Sequence, residues 1–240
     1  MDVTKIKLLA FDLDGTLTRN KTKINATNRQ VLEALSKKYK LLMVGAGSCR
    51  RIFEQLDRFP VDILGNYGLQ YAEYDAQSQD IKFVESVQLS YDRDSIEKRA
   101  TLLRETYGFT EFVGDNVEYH SSGFITIPLL GTDADFEDKL VFDPDRKKRR
   151  AIYEEVKAMF PDYTTFVAGS SSFDFAPAPY NKAYALSRYC AQRGIAHNEV
   201  IFMGDDYGPG GNDESVYQSD FNFITVDDYL EFPKLVEALL

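Results

Sequence analysis

Ile6-Lys7-Leu8-Leu9-Ala10-Phe11, followed at once by Asp12-Leu13-Asp14-Gly15-Thr16, is the stretch on which the fold turns. A short apolar run broken by polar residues and a glycine predicts a buried, parallel-type strand ending in a loop. Two carboxylates one residue apart then stand at the carboxyl end of that strand, the edge where open α/β sheets bind ligands. A plain loop, with Asp as cap and Gly as turn, accounts for one acid but poorly for two crowded behind a core strand. Like charges so close repel unless a cation lies between them or one is protonated. A divalent metal resolves the conflict, and Mg²⁺ prefers such oxygen ligands.

Outward from this stretch the pattern alternates. Residues 27–39 predict a helix, with Val31, Leu32 and Leu35 at helical spacing and Asn25 or Thr27 as cap. Residues 41–44 form a second apolar strand, closed by Gly45-Ala46-Gly47-Ser48. Ser48 caps a helix carrying Ile52, Phe53 and Leu56, and residues 61–64 form a third strand. Strand, helix, strand, helix, strand is the pattern of a doubly wound α/β sheet.

A different texture follows. Residues 69–74 and 81–84 read as a hairpin, residues 92–107 as an amphipathic helix, and residues 112–119 and 124–129 as alternating strands. A helix is expected to open at Asp143-Pro144 and to carry Ile152, Val156 and Met159, before strands at 163–168 and 172–176. The first pattern returns after Pro177-Ala178-Pro179: helix 182–192, strand 199–203, a glycine-rich loop at 204–211, strand 221–226. The expected architecture is therefore α/β: a Rossmann-like doubly wound parallel-sheet core, residues 1–82 and 178–240, interrupted by an α+β domain, residues 83–177. The basic run at 146–150 reads as a solvated helix face.

Composition bounds the function. The chain has 240 residues, is 44% hydrophobic and carries a net charge of −10, so it holds enough apolar matter for a core. Its acidity argues against nucleic-acid and anionic-membrane partners, which need clustered positive charge. Cys49 and Cys190 are the only cysteines, too few for a disulfide scaffold or a zinc site. The N-terminal residues 1–7 are charged where a signal peptide needs an apolar run. No stretch approaches the ~18 apolar residues of a membrane span. The expected setting is cytoplasmic.

A second acidic loop, Gly204-Asp205-Asp206-Tyr207-Gly208-Pro209-Gly210-Gly211-Asn212-Asp213, also follows an apolar strand. It brings further carboxylates to the same expected edge, with glycines that let backbone approach a ligand. Counter-charge comes from Ser48, at a helix N-terminus, and from Lys182, which opens the helix after the inserted domain. A carboxylate nucleophile, a neighbouring acid, a metal and phosphate holders together suit phosphoryl transfer through an aspartyl phosphate.

These motifs, in this order, resemble those of the haloacid dehalogenase superfamily: Asp12-Leu13-Asp14-Gly15-Thr16, then Ser48, then Lys182, then Gly204-Asp205 with Asn212-Asp213. Within it the chain is similar to eukaryotic-type phosphomannomutases. Pro209-Gly210-Gly211-Asn212-Asp213 matches that family, as do Ser172-Phe173-Asp174 before Pro177, and Asn181-Lys182 with Tyr184 stands for its Asp-Lys-x-Tyr. The resemblance makes the inserted domain a substrate-covering cap of the C2 type. It implies that Asp12 is the nucleophile and Asp14 the general acid and base. It implies a Mg²⁺ cofactor held by Asp12, the Asp14 carbonyl and Asp205, with Asp213 supporting the metal's waters or serving as a further ligand, and with Ser48 and Lys182 neutralising the phosphoryl oxygens. Cap residues Ser172 and Asp174 would meet sugar hydroxyls, and two chains would pair through their caps.

The departures from the family bear on the reaction. Where the family places cap arginines for the substrate's other phosphate, this chain has Ser121, Thr132 and Lys139, and Lys21 replaces a core arginine. Asp206 stands where the family has lysine, and Gly45-Ala46-Gly47-Ser48-Cys49 alters the second motif. A mutase handling a bisphosphate needs strong, often bidentate phosphate grips. The expectation is a Mg²⁺-dependent phosphatase acting on a small phosphate ester, a sugar phosphate; the alternative is a phosphomannomutase or related mutase. A non-catalytic phosphosugar binder has no need of both Asp12 and Asp14. His120 and His197 fit no catalytic triad.

Overall fold

The computed structural model describes residues 3–240. Met1 and Asp2, which open the charged N-terminal stretch, lie outside the described residues. The chain divides into two compact units. The first comprises Met1–Ser86, Asn181–Gly208 and Asp213–Leu240; the second comprises Val87–Tyr180 and Pro209–Asn212.

The elements run β1 (Leu8–Phe11), α1 (Ala26–Leu35), β2 (Lys40–Val44), α2 (Cys49–Gln55), β3 (Asp62–Gly65), β4 (Gln70–Asp75) and β5 (Asp80–Ser86). Then come α3 (Arg93–Tyr107), β6 (Glu118–Tyr119), β7 (Ile125–Pro128), α4 (Phe136–Phe142), α5 (Lys147–Ala151), α6 (Tyr153–Met159), β8 (Tyr163–Ala168) and β9 (Ser172–Pro177). The chain closes with α7 (Lys182–Arg193), β10 (Val200–Gly204), α8 (Glu214–Tyr217), β11 (Asn222–Thr225) and α9 (Phe232–Leu235).

The first unit holds a seven-stranded sheet in the order β11-β10-β1-β2-β3-β4-β5. Neighbours from β11 to β3 are parallel; β4 and β5 run antiparallel at one edge. Alternation along β1 explains the two helical layers, because successive side chains leave opposite faces of a strand. Leu9 and Phe11 pack with Leu32 of α1, Ile52 and Phe53 of α2 and Phe232 of α9. Leu8 and Ala10 pack with Ala185, Leu186 and Tyr189 of α7. Every residue of β1 is fully buried, which is why its sequence is a continuous apolar run. Burying each of Leu8, Leu9 and Phe11 contributes about 1.5–3 kcal/mol relative to an exposed position. The expected break at residues 82/83 falls inside β5, whose ladder with β4 continues to Ser86.

The second unit is α+β. Its antiparallel sheet has the order β6-β7-β9-β8. Ile125, Ile127, Val167, Phe173 and Phe175 share a core with Ile96, Ala100 and Leu103 of α3 and with Tyr153 and Val156 of α6. Ser172 and Asp174 alternate with Phe173 and Phe175 along β9, so they belong to the sheet's other face.

Three local expectations are corrected here. Residues 112–119 yield only the two-residue β6. The single helix expected from Asp143-Pro144 is two short ones, α5 and α6, parted at Ile152, and Pro144 precedes the first. Asp143 nonetheless behaves as a cap, accepting the Lys148 and Arg149 N–H groups at 3.0 and 3.1 Å. The basic run is not wholly solvated, because Arg149 is 0% exposed. Its Nε donates to Asp143 Oδ2 at 2.8 Å, and its Nη groups reach the carbonyls of Ala168, Gly169 and Ser172. One arginine thus pins the β8–β9 turn to α5. Among the described residues, no helix is long and apolar enough to cross a membrane.

Candidate functional site

β1 and β10 are parallel neighbours in register, Phe11 beside Met203. The chain leaves both strands at the same end of the sheet, and the Asp12 N–H still bonds the Met203 carbonyl at 2.9 Å. That pairing brings Asp12 and Asp205 to one edge. Asp213 joins them because it closes the loop after β10: its N–H meets the Asp206 carbonyl at 3.0 Å, and its Oδ2 accepts the Asp206 N–H at 3.1 Å. One carboxylate oxygen from each of Asp12, Asp205 and Asp213 lies within 4.8 Å of the others.

Two glycines make room for this cluster. Gly15 has φ +97°, a conformation L side chains rarely adopt, and a Cβ there would fall on the Asp205 carboxylate, 2.7 Å from Oδ1. A Cβ on Gly204 would lie 2.6 Å from Asp213 Cγ. Thr16 Oγ1 donates to Asp205 Oδ1 at 3.1 Å.

Lys182 enters the cluster from the first turn of α7, whose cap, Asn181, accepts the Tyr184 N–H. It is 0% exposed. Its Nζ lies 2.6 Å from Asp12 Oδ1 and 2.7 Å from Asp213 Oδ1. Burial acts against the ammonium, but the Asp12 and Asp213 carboxylates outweigh it and hold Lys182 above its ordinary range. Burial, then the charges of Asp12 and Asp213, push Asp205 up to about 8. Burial likewise pushes Asp213 up to about 7 despite Lys182. The pocket of charge is short of positive partners: three buried or half-buried carboxylates meet one ammonium. A hard divalent cation fits that all-oxygen donor set and that deficit.

Ser48 lies in the loop after β2. It caps α2 by accepting the Arg51 N–H at 3.3 Å. The same loop passes Asp12 closely: a Cβ on Gly45 would be 3.9 Å from Asp12 Oδ1. Asp14 differs from its neighbour Asp12. Its carboxylate is not in the three-acid group but bonds the Lys21 N–H, Gln55 and Arg51. Neither Arg51 nor Gln55 was marked by sequence reasoning. The available signal is their i, i+4 spacing on the helix that Ser48 caps.

In the second unit, Ser172 and Asp174 are half-buried on β9, and Asp174 Oδ1 accepts Thr126 Oγ1 at 2.8 Å from the adjacent strand. Two residues at the family's arginine places have partners within the second unit. Thr132 Oγ1 accepts the Asp115 N–H at 2.8 Å, and Lys139 Nζ donates to the Thr132 carbonyl at 2.9 Å.

The model of the eukaryotic phosphomannomutase family matches residues 28–233. The phosphomannomutase of Schizosaccharomyces pombe is 28% identical over 235 residues, covering 88% of this chain and 84% of its own. That of Saccharomyces cerevisiae is 27% identical over 223 residues with the same coverage. Among solved structures, N-terminally truncated Plasmodium falciparum IMP-nucleotidase superposes with TM-score 0.68 at 17% identity, covering 99% of this chain and 71% of that one. A haloalkanoate-superfamily phosphatase from Bacteroides thetaiotaomicron gives 0.63 at 16% identity, covering 98% and 95%. At such identities the structural matches speak for the fold.

Proposed function

Because the chain belongs to the eukaryotic phosphomannomutase family of the haloacid dehalogenase superfamily, we propose that it is a Mg²⁺-dependent sugar-phosphate enzyme that carries the phosphoryl group on Asp12. The observation that carries this reading is the buried Lys182 between Asp12 and Asp213, with Asp205 in the same group. Asp12 attacks phosphorus through a carboxylate oxygen, the ester P–O bond breaks, and an acyl phosphate forms. Asp14 gives a proton to the leaving oxygen and later takes one from the incoming hydroxyl. Lys182 and the Ser48 hydroxyl meet the phosphoryl oxygens. Asp12, the Asp14 carbonyl, Asp205 and Asp213 would hold Mg²⁺, which when bound supplies positive charge against those oxygens. Ser172 and Asp174 read the sugar hydroxyls from the cap, and the setting is cytoplasmic.

The family relationship makes a sugar-phosphate mutase the first assignment: the phosphoryl group returns to a different hydroxyl of the sugar. A second reading, hydrolysis with water taking the phosphoryl group, draws on Ser121, Thr132, Lys139 and Lys21 in place of arginines. Thr132 accepts the Asp115 N–H and Lys139 donates to the Thr132 carbonyl, which leaves less for a second phosphate. Hexose 1- and 6-phosphates assayed with Mg²⁺, with and without a hexose bisphosphate, separate the two. Isomerisation stimulated by bisphosphate, without inorganic phosphate, is the mutase result; phosphate release is the phosphatase result. Neither product from any sugar phosphate would sink both readings.

Pairing of two chains through the cap is part of the same proposal. It draws support from α4, which leaves Phe136 and Val141 67% and 72% exposed. Sedimentation of a monomer at assay concentration would count against it.

A further inference from the structure

The Asp14 carboxylate is held from both sides. Its Oδ1 accepts the Lys21 N–H and Gln55 Nε2, each at 2.6 Å, and its Oδ2 accepts Arg51 Nη1 at 2.9 Å. Arg51 Nη1 also donates to Gln55 Oε1 at 3.1 Å, and Gln55 Nε2 donates to Thr18 Oγ1 at 3.0 Å. These partners fix which way the Gln55 amide faces, since its oxygen meets a cation and its NH₂ meets a carboxylate. Gln55 is 8% exposed, so water does not readily replace a lost partner. Arg51 and Gln55 are four residues apart in α2, the spacing that sets two side chains next to each other on a helix. Gly47 makes room for the guanidinium, because a Cβ there would lie 2.6 Å from Arg51 Cζ.

We propose that Arg51 and Gln55 are positioning residues for Asp14, a two-sided clamp that keeps its carboxylate in the rotamer used for proton transfer. This role rests on the phosphoryl-transfer reading above, since only there does Asp14 move a proton. In that step the P–O bond breaks, its electron pair goes to the leaving oxygen, and the proton on Asp14 goes to the same oxygen. A carboxylate tied through one oxygen can still turn about its Cβ–Cγ bond; one tied through both cannot. A displacement of about 1 Å from working geometry costs on the order of 10²-fold in rate. That cost depends on the leaving group. A dinitrophenolate departs without a proton, whereas a phenolate needs one. Loss of the clamp therefore shows as a steeper dependence on leaving-group basicity, which general unfolding or weaker phosphate binding does not produce.

The test is kcat/KM, with Mg²⁺, for 2,4-dinitrophenyl, 4-nitrophenyl and phenyl phosphate, measured on the wild type, Arg51→Met, Gln55→Leu, Gly47→Ala, Arg51→Lys and Asp12→Asn. Arg51→Met and Gln55→Leu are expected to lose about 10- to 100-fold on phenyl phosphate and under about threefold on the dinitrophenyl ester. Gly47→Ala keeps the arginine but fills its space, and should move in the same direction. Arg51→Lys keeps a donor and should retain more activity on phenyl phosphate than Arg51→Met. Equal losses across the series, or none, overturn the clamp while an inactive Asp12→Asn leaves the phosphoryl-transfer reading standing. Full activity in Asp12→Asn, or no turnover of any ester by the wild type, removes that reading and the clamp with it.

Discussion

Lys182 in the first unit and Arg149 in the second are both 0% exposed, and each faces a buried carboxylate, yet their surroundings are balanced differently. Arg149 meets the Asp143 carboxylate and the carbonyls of Gly169 and Ser172. Lys182 meets Asp12 and Asp213, with Asp205 in the same group. The titration directions follow. Burial would raise Asp143, but the hydrogen bond from Arg149 and the amides of Lys148 and Arg149 hold it below its ordinary range. Asp205 and Asp213 are pushed the other way, to about 8 and about 7. A network whose charges close is framework. A network left with surplus negative charge has capacity for a cation, and it is there that the proposed chemistry would take place.

Substituting each cation separates framework from function most sharply. Lys182→Met should lower turnover by about 10²- to 10³-fold, as loss of a preorganised charge does, while protons taken up by Asp205 and Asp213 absorb much of the cost to folding. Arg149→Met leaves Asp143 buried without its counter-cation and several carbonyls without their donor, and should cost about 3–5 kcal/mol of stability. Denaturant melts together with kcat for both variants decide. A Lys182→Met protein that is less stable than Arg149→Met yet fully active would erase the distinction.

The pH dependences of the two regions should have opposite signs. Asp205 and Asp213 titrate higher in the folded chain than near ~3.9, the unfolded value for Asp. The folded metal-free state then binds more protons, so stability falls as pH rises from about 4 towards 8, by on the order of a few kcal/mol. Mg²⁺ should oppose the fall, most strongly at the upper end. Asp143 is depressed instead. Its contribution is present above about pH 4 and is lost as pH falls below that value. Hydrogen exchange of the amides after β1 and β10, against those of the β8–β9 turn, reads the two slopes separately. Parallel slopes would show that both networks are equally compensated.

A smaller effect sharpens the contrast from the cap side. On the proposed reading Asp174 meets the sugar and not the phosphoryl group, so Asp174→Ala should cost about tenfold in kcat/KM on the best hexose phosphate found and under about threefold on 4-nitrophenyl phosphate. Equal losses on the two substrates would mean that Asp174 does not read the sugar.

What the sequence could tell follows from what kind of information each feature needs. β1 was legible because a strand buried on both faces must be apolar throughout, and an acid after such a strand has a fixed topological address. Asp12 and Asp205 have that address by local sequence alone, and their 4.8 Å group with Asp213 is a consequence of β1 pairing with β10. Arg51 and Arg149 were opaque for the opposite reason. A long cationic side chain on a short amphipathic helix reads as solvated, and where its head goes depends on space made elsewhere, by Gly47 for Arg51 and by the β8–β9 turn for Arg149. Helix α4 escaped notice because it leaves Phe136 and Val141 exposed, so no buried stripe betrays it. The two-residue β6 has too little ladder to impose alternation on residues 112–119.

The bare Cα positions of Gly15 and Gly204 bear on how variants of this chain should be interpreted. Gly204, unlike Gly15, lies outside the left-handed region, so its backbone accepts alanine. The added methyl would meet the Asp213 carboxyl carbon at 2.6 Å and wedge it away from Lys182. Such a protein would keep every acid and the lysine, yet lose the arrangement that joins them. A genetic screen that scores only the charged letters of the motifs would pass it as intact. Inactive alleles in this chain can therefore hide in its smallest residues, and a census of harmful variants should begin with the hydrogens that the carboxylates lean on.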